Sequence, residues 1–303
     1  MAGLNQEIWT DVLVQDFKAT EEASFLNKIP DESRHVSATK GENEVIHLVD
    51  VGADPEVIIN NITYPIGFAK QEDKDIPILL DTYVTVATKV TEEEIEHIAY
   101  DKVRLVQEKH KNAIMVTKHN KAVHALGANE EKTATPILVT TGSDDGTGRR
   151  MCTIKDLAKH KKQYDDLKLP LMGRTLVLSS QHYNDLLFEC IDNKKSADHL
   201  SFDEAGLLKQ RLFGFECYLY IDCPYYNLST LKKKSFGAVI EDGDVQGSVS
   251  YFSLDMFRAS GLTKNYADEP TTQNHAWLYN ARHNYIVLPK KERAVGAIVS
   301  ADV

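Results

Sequence analysis

The chain has 303 residues, 42% hydrophobic and 26% charged, and a formal net charge of −10. That leaves room for a sizeable core or two lobes. The acidity argues against tight, sequence-independent adhesion to nucleic acid, which needs Lys and Arg to displace counterions. No apolar run approaches the roughly 20 residues that span a bilayer. Met1 to Trp9 lack the basic start and apolar stretch of a signal peptide, which predicts a protein made and kept in a cytoplasm. Cys152, Cys190, Cys217 and Cys223 form no C-x-x-C pair, so they read as reduced, half-buried thiols rather than a zinc site or disulfide framework.

In chain order, Glu7 to Phe17 reads as a short amphipathic helix, with Ile8, Val12 and Phe17 near one stripe. Ser33 to Gly41 is polar and turn-like. Together this N-terminal stretch reads as an arm in need of a partner surface. Val45–Val51, Glu56–Asn60, Ile76–Leu80 and Thr82–Thr88 are strand candidates rich in β-branched residues. The charged run Lys70 to Asp75 between them suggests an exposed tip on a long ribbon. Two strands alone are marginal in water, so the ribbon must lie on something.

From Thr91 to Leu126 there is no glycine and no proline, and the stretch reads as one long helix. Thr91 and Glu94 have the spacing of a capping box. Glu92, Glu93 and Glu96 sit near the positive end of the helix dipole, and Lys118, His119, Lys121 and His124 near the negative end. Gly127 follows, where a left-handed residue often stops a helix. At 1.5 Å per residue the rod is roughly 50 Å long, which suits an elongated building block better than a compact catalyst.

A loop with Gly142 to Arg150 leads to a second helix capped by Thr153, with Ile154, Leu157, Ala158 and Tyr164 near one face, ending before Pro170. Thr175–Leu178 reads as a strand. Ser179 or Ser180 caps a third helix, its apolar side carrying Tyr183, Leu186, Leu187, Cys190 and Ile191. A further helix is expected near Asp203–Gln210, strands at Phe215–Ile221, Ser235–Ile240 and Ser248–Phe252, a short helix at Leu254–Ala259, a strand at His275–Leu288 and a closing strand at Ala294–Val299. The class is α+β.

The chemistry-bearing residues form no recognisable site. The loop Gly142–Arg150 is neither a P-loop nor a dinucleotide fingerprint and reads as a surface connection in which Arg149 and Arg150 can meet an acidic neighbour. His97, His110, His119 and His124 lack zinc-protease spacing and read as solvent-facing or dipole-complementing. Ser179, Ser180 and His182 invite a nucleophile reading, but helix capping explains the serines more simply. Asp165, Asp166, Asp242 and Asp244 sit where helix ends and turns favour Asp, with no metal-loop spacing. Tyr218, Tyr220, Tyr225, Tyr226, Phe213 and Phe215 read as core or interface packing. The expectation is no enzyme, no cofactor, no metal and no catalytic residue.

The order of parts resembles the major capsid protein of tailed bacteriophages, the Hong Kong 97-type shell fold. Particular strings carry the resemblance: Glu7–Thr10 at the start, Val51–Ile66 in the ribbon, Tyr100–Val103 and His110–Ala113 in the rod, Leu212–Tyr220 in a lobe strand and Ala294–Val299 at the end. It covers nearly the whole chain, and the shared order rather than any single string is the signal. It implies an N-terminal arm (1–44), an extended loop lying over a neighbouring subunit (45–90), a peripheral domain with a spine helix (91–170 with 275–303) and an axial domain (171–274). Within the extended loop it points to Tyr64, Pro65, Ile66, Phe68 and Lys70 as inter-subunit contacts. The implied partners are copies of itself as hexamers and pentamers, a separate scaffolding protein (the arm starts without a long coiled coil), a portal protein, a decoration protein, and enclosed double-stranded DNA without sequence-specific contact. No membrane is implied. The location is the virion, assembled in the bacterial host cytoplasm, and no covalent Lys–Asn cross-link between subunits is expected. A nanocompartment shell of the encapsulin type, a tail or connector component, and an α/β enzyme with a helical insertion are the other readings.

Overall fold

The computed structural model describes residues 21–38, 44–50, 74–91, 102–192, 211–272 and 275–302. The helix expected at 7–17, the strand at 56–60, the helix at 203–210, and the contact residues Tyr64, Pro65, Ile66, Phe68 and Lys70 lie outside these residues.

A 3-10 segment, Glu21–Lys28, precedes strands β1 (Val36–Ala38), β2 (Glu44–Asp50), β3 (Lys74–Leu79), β4 (Asp81–Val84) and β5 (Thr88–Thr91). Helix α1 (Lys102–Leu126) leads through β6 (Ile137–Val139) to α2 (Ile154–Asp166), β7 (Arg174–Leu178) and α3 (Ser180–Asp192). Then come β8 (Arg211–Leu212), β9 (Phe215–Leu219), β10 (Tyr225–Asn227), β11 (Lys232–Lys233), β12 (Asp244–Gln246), β13 (Ser248–Phe252), β14 (Met256–Asp268), β15 (Ala276–Pro289) and β16 (Val295–Val299). Thr91, expected to cap the rod, is the last residue of β5, and residues 92–101 lie outside the described residues.

The centre is a six-stranded mixed sheet in the order β6-β16-β13-β7-β9-β8. Strands β7, β13 and β16 are buried at every residue, because both faces are covered and side chains alternate between them. On one face Val177, Val249, Tyr251, Val295, Ala297 and Val299 pack with Ala122, Val123 and Leu126 of α1. On the other, Leu176, Leu178, Phe252 and Ile298 pack with Leu157 and Tyr164 of α2 and Tyr183 and Leu186 of α3.

Two expectations about burial change here. Ala158 of α2 is exposed, and the inward positions are Asp156, Leu157, His160 and Tyr164. Ile191 of α3 is likewise exposed. The described part of the N-terminal arm finds its surface within its own chain. Phe25 is fully buried, its ring tilted against that of Tyr218 with centroids 5.5 Å apart, and its carbonyl accepts the Tyr251 hydroxyl at 3.0 Å.

A second sheet holds the long β14–β15 hairpin, with β4 and β5 both pairing with β15. Leu254–Ala259, expected as a short helix, is instead a 3-10 turn running into β14. A short apolar run does not reveal its period, and pairing with β15 decided it. Helix α1 crosses this sheet, placing Ile114 and Met115 on Ala281 and Val106 on Val90 and Tyr279. Strands β1, β2 and β3 form an antiparallel ribbon. At its base, Ile46 and Leu80 pack on Phe257, Ala259 and Ile286. The Glu44 carboxylate sits in the irregularity of β14 between Ser260 and Thr263, accepting the Leu262 N–H at 2.8 Å and the Asn284 amide at 3.0 Å. Only a glycine at 261 leaves room for it, since a Cβ there would overlap the carboxylate.

The strand expected at Ser235–Ile240 does not form. That stretch has no sheet partner, turns at Phe236–Gly237 and is exposed throughout. Nearby, β10, β11 and β12 make a small separate sheet.

Candidate functional site

The residues that invited a nucleophile reading lie deep inside. His182 is 0% exposed, with Nδ1 2.7 Å from Ser248 Oγ and Nε2 2.8 Å from Ser300 Oγ. Ser179 accepts the His182 N–H at 3.5 Å, a helix cap, as its place before α3 suggested. Burial pulls His182 down to about 4, so it is neutral at pH 7. A neutral imidazole has one donor and one acceptor, and two hydroxyls satisfy both. Around it, Arg149 reaches Asp185 with two bonds of 2.7 and 2.8 Å and also pairs with Asp145. The loop Gly142–Arg150 is thus tied to α3, and Arg149 meets the acidic neighbour expected of it. No substrate reaches this network; it fastens a loop, a helix and the end of the chain together.

A second buried network serves α2. Thr153 and Asp156 form a capping box. Asp156 is 0% exposed and also accepts the Thr141 N–H at 3.0 Å and the Thr141 hydroxyl at 2.6 Å. These bonds, working against its burial, hold its carboxyl below the usual range. His160 and Tyr164 both reach Ser250 Oγ, at 2.7 and 2.8 Å. Arg174 is 1% exposed and donates to Asp165 at 2.7 Å and to the carbonyls of Leu169 and Pro170. The cysteines are free thiols, with Cys152, Cys217 and Cys223 buried. The described residues contain no cluster fit to hold a metal ion.

The helix α1 corrects an expectation. Its histidines do not face solvent: His110 and His119 are each 8% exposed, and His97 lies outside the described residues. His119 is pulled down to about 4 by burial and by Lys118. His124 hydrogen-bonds the Lys234 carbonyl at 2.7 Å. Lys118 is 4% exposed and lies 4.7 Å from the centre of the Tyr285 ring. Lys121, paired with Asp81 at 2.7 Å, keeps its place near the helix end, and the last carbonyls are closed by Lys233, whose Nζ donates to those of His124 and Gly127, both at 2.7 Å. Gly127 does not adopt a left-handed φ. It is glycine because a Cβ would lie 2.5 Å from Tyr226 Oη and 2.9 Å from Val249 Cγ1. Sequence spacing showed that α1 ends there but not that β11 closes it, since Lys233 is more than a hundred residues away.

Several large apolar side chains stand at the surface. Val86 is 90% exposed, Val239 81%, Met172 77% and Ile221 73%. Scattered apolar residues are ordinary, but Phe236, Val239 and Ile240 stand together on one exposed loop. A groove of about 800 Å³ runs between α1 and the β4–β5 segment, with Val84 and Val86 on one wall and Ala113 and Thr117 on the other.

Comparison with known proteins agrees. No protein-family model and no curated protein matches the sequence. Solved structures do. The chain is similar to the capsid of the cyanophage P-SCSP1u, with a TM-score of 0.62 and 14% identity over 94% of this chain and 90% of that one. It is similar to the capsid of Ralstonia phage GP4, with a TM-score of 0.59 and 6% identity over 91% and 87% of the two chains. A virus-like particle from Pyrococcus furiosus also matches, with a TM-score of 0.55 and 10% identity over 97% and 99%. The chain has the Hong Kong 97-type fold, the α+β architecture of phage head subunits. The resemblance seen in the sequence extends to the course of the backbone over nearly the whole chain.

Proposed function

We propose that this chain is the major capsid protein of a tailed bacteriophage, self-assembling into the icosahedral shell that encloses its double-stranded DNA. The observation that carries the reading is the likeness of fold to capsid subunits over 94% and 91% of the chain. The absence of any reactive cleft around the buried serines, histidines and carboxylates of the described residues supports a structural rather than an enzymatic role. The division into an arm (1–44), an extended loop (45–90), a peripheral domain (91–170 with 275–303) and an axial domain (171–274) belongs to this proposal. So do the loop contacts through Tyr64, Pro65, Ile66, Phe68 and Lys70, and the scaffold, portal and decoration partners. The virion is its place, and the host cytoplasm its site of assembly.

The match to a virus-like particle favours a second reading, a nanocompartment shell that encloses protein rather than DNA. Expressing the full chain, alone and with the genes beside its own, and imaging the product by electron microscopy tests both. Shells, tubes or capsomer rings support the assembly reading. A monodisperse monomer at every concentration overturns it. Co-purifying protein cargo in closed shells selects the nanocompartment.

A further inference from the structure

The groove between α1 and the β4–β5 segment has a consistent chemistry. Val84, Val86, Val106 and Ala113 give it an apolar lining. Lys89 and Lys109 stand on opposite walls, both exposed, with no ion pair among the described residues. Among the described residues the lining holds no acidic residue. His110 lines it too: Nδ1 lies 2.8 Å from Thr85 Oγ1, and Nε2 has no hydrogen-bond partner among the described residues. Thr85 Oγ1 also accepts the Ala281 N–H and donates to the Ala281 carbonyl at 3.4 Å. From Lys102 to Thr117 the helix wall is about 22 Å long, a length for a stretch of polypeptide rather than a small molecule. The occupant this chemistry calls for is extended, apolar in part and rich in carboxylates. An apolar lining with so few cations is a poor match for nucleic acid, whose binding rests on phosphate contacts.

The same chain displays such a segment. Residues 235–243 are exposed without interruption. Phe236, Val239 and Ile240 are 45%, 81% and 55% exposed, and Glu241 and Asp242 follow directly. Asp242 has no ion pair among the described residues, and Glu241 pairs with Lys234 of its own loop while remaining 71% exposed. In its own subunit this loop lies beside His124, with the Phe236 ring 5.7 Å away, past the end of the groove at Thr117. The loop therefore does not fill the groove of its own subunit, and reaches such a groove only on another copy. A contact between two different patches of identical chains propagates as a ring or a shell rather than stopping at a dimer.

We propose that the loop Phe236–Asp242 of a second copy docks in the α1/β4–β5 groove, its Val239 and Ile240 on the valine-lined wall and its Glu241 and Asp242 between Lys89 and Lys109. This rests on the self-assembly reading above and names one contact within it.

Charge exchange tests it. The full chain is compared with Lys89→Glu/Lys109→Glu, with Glu241→Lys/Asp242→Lys, and with all four substitutions together. Assembly is read by light scattering and electron microscopy, and folding by circular dichroism. Each double variant folds and loses at least tenfold in assembled fraction, and the fourfold variant recovers to within about threefold of the native chain. In a second measurement, a mixture of Val86→Cys and Val239→Cys chains gives a disulfide-linked dimer on a non-reducing gel that neither gives alone. A native chain that assembles while both double variants assemble equally well overturns this contact and leaves the shell reading intact. Loss of assembly by the lysine variant alone assigns the groove to another occupant and overturns it as well. Binding of a labelled duplex oligonucleotide that disappears with Lys89→Glu/Lys109→Glu makes the groove a nucleic-acid site and overturns it. A native chain that never assembles overturns both readings.

Discussion

Gly127 shows how a single atom decides a junction. Helix α1 ends against Tyr226 and Val249, leaving no space for a methyl group. Gly127→Ala is expected to lower stability by about 1–3 kcal/mol through overpacking. The check is the denaturant midpoint, with Gly146→Ala, which meets nothing within 4 Å, as the comparison. The buried histidines make a different prediction. His160 and His182 are held down to about 4 by burial, while the unfolded chain protonates near the usual histidine value of about 6.5. Below that value the unfolded state binds more protons, so stability is fully present at pH 7 and is lost as pH falls towards 4. The melting temperature should drop steadily between pH 6.5 and 4.5, and less steeply in His182→Gln. A native chain whose melting temperature is flat across that window contradicts the assignment. Neither feature was legible in the sequence. A glycine after a helix signals a stop by frequency, and a histidine beside a serine says nothing of the hydroxyls at positions 248 and 300 that it bridges.

At the scale of elements, local signals served well where a single segment holds all the partners. The Thr153 cap of α2, the Ser179 cap of α3, strand β13 and the closing strand follow from residues a few positions apart. They fail where a partner comes from afar. Lys233 lies 109 residues from His124 in sequence, yet it closes α1 by donating to the carbonyls of His124 and Gly127.

 Burial lowers Lys233 to about 7, while the two carbonyl oxygens hold its hydrogens. Lys233→Ala removes this donor from both carbonyls and leaves that of His124 with only the Gly127 N–H at 3.4 Å, which costs about 1–3 kcal/mol. It should also speed amide exchange in the last turn of α1, measured by hydrogen exchange; exchange there as slow as in the native chain contradicts the capping role. The long β14 illustrates the same limit from the other side. Its first residues suit a helix or a strand, and only β15 settles which.

For the whole molecule, the acidity and the fold point the same way. Under the proposed function, a wall around densely packed DNA works best without gripping it, and few phosphate contacts mean weak binding. The purified chain should show a dissociation constant weaker than about 10⁻⁴ M for duplex DNA at physiological salt, the weak end of non-specific binding. Fluorescence anisotropy with a labelled duplex checks this, and micromolar binding refutes it. The exposed apolar loop at 235–243 and the lysine-walled groove give the molecule two unlike surfaces, which is what an open, repeating association requires.

The sequence by itself determined the α+β class, the long rod, the capped second and third helices, and the order of parts that resembles a phage shell protein. Those depend on periodicity and on neighbours a few residues apart. The tertiary structure alone decided which histidines are buried, which lysine closes the rod, why residue 127 is glycine, and that the stretch 235–240 is a free loop rather than a strand. Each of those depends on atoms brought together from distant parts of the chain, and no local pattern encodes their meeting.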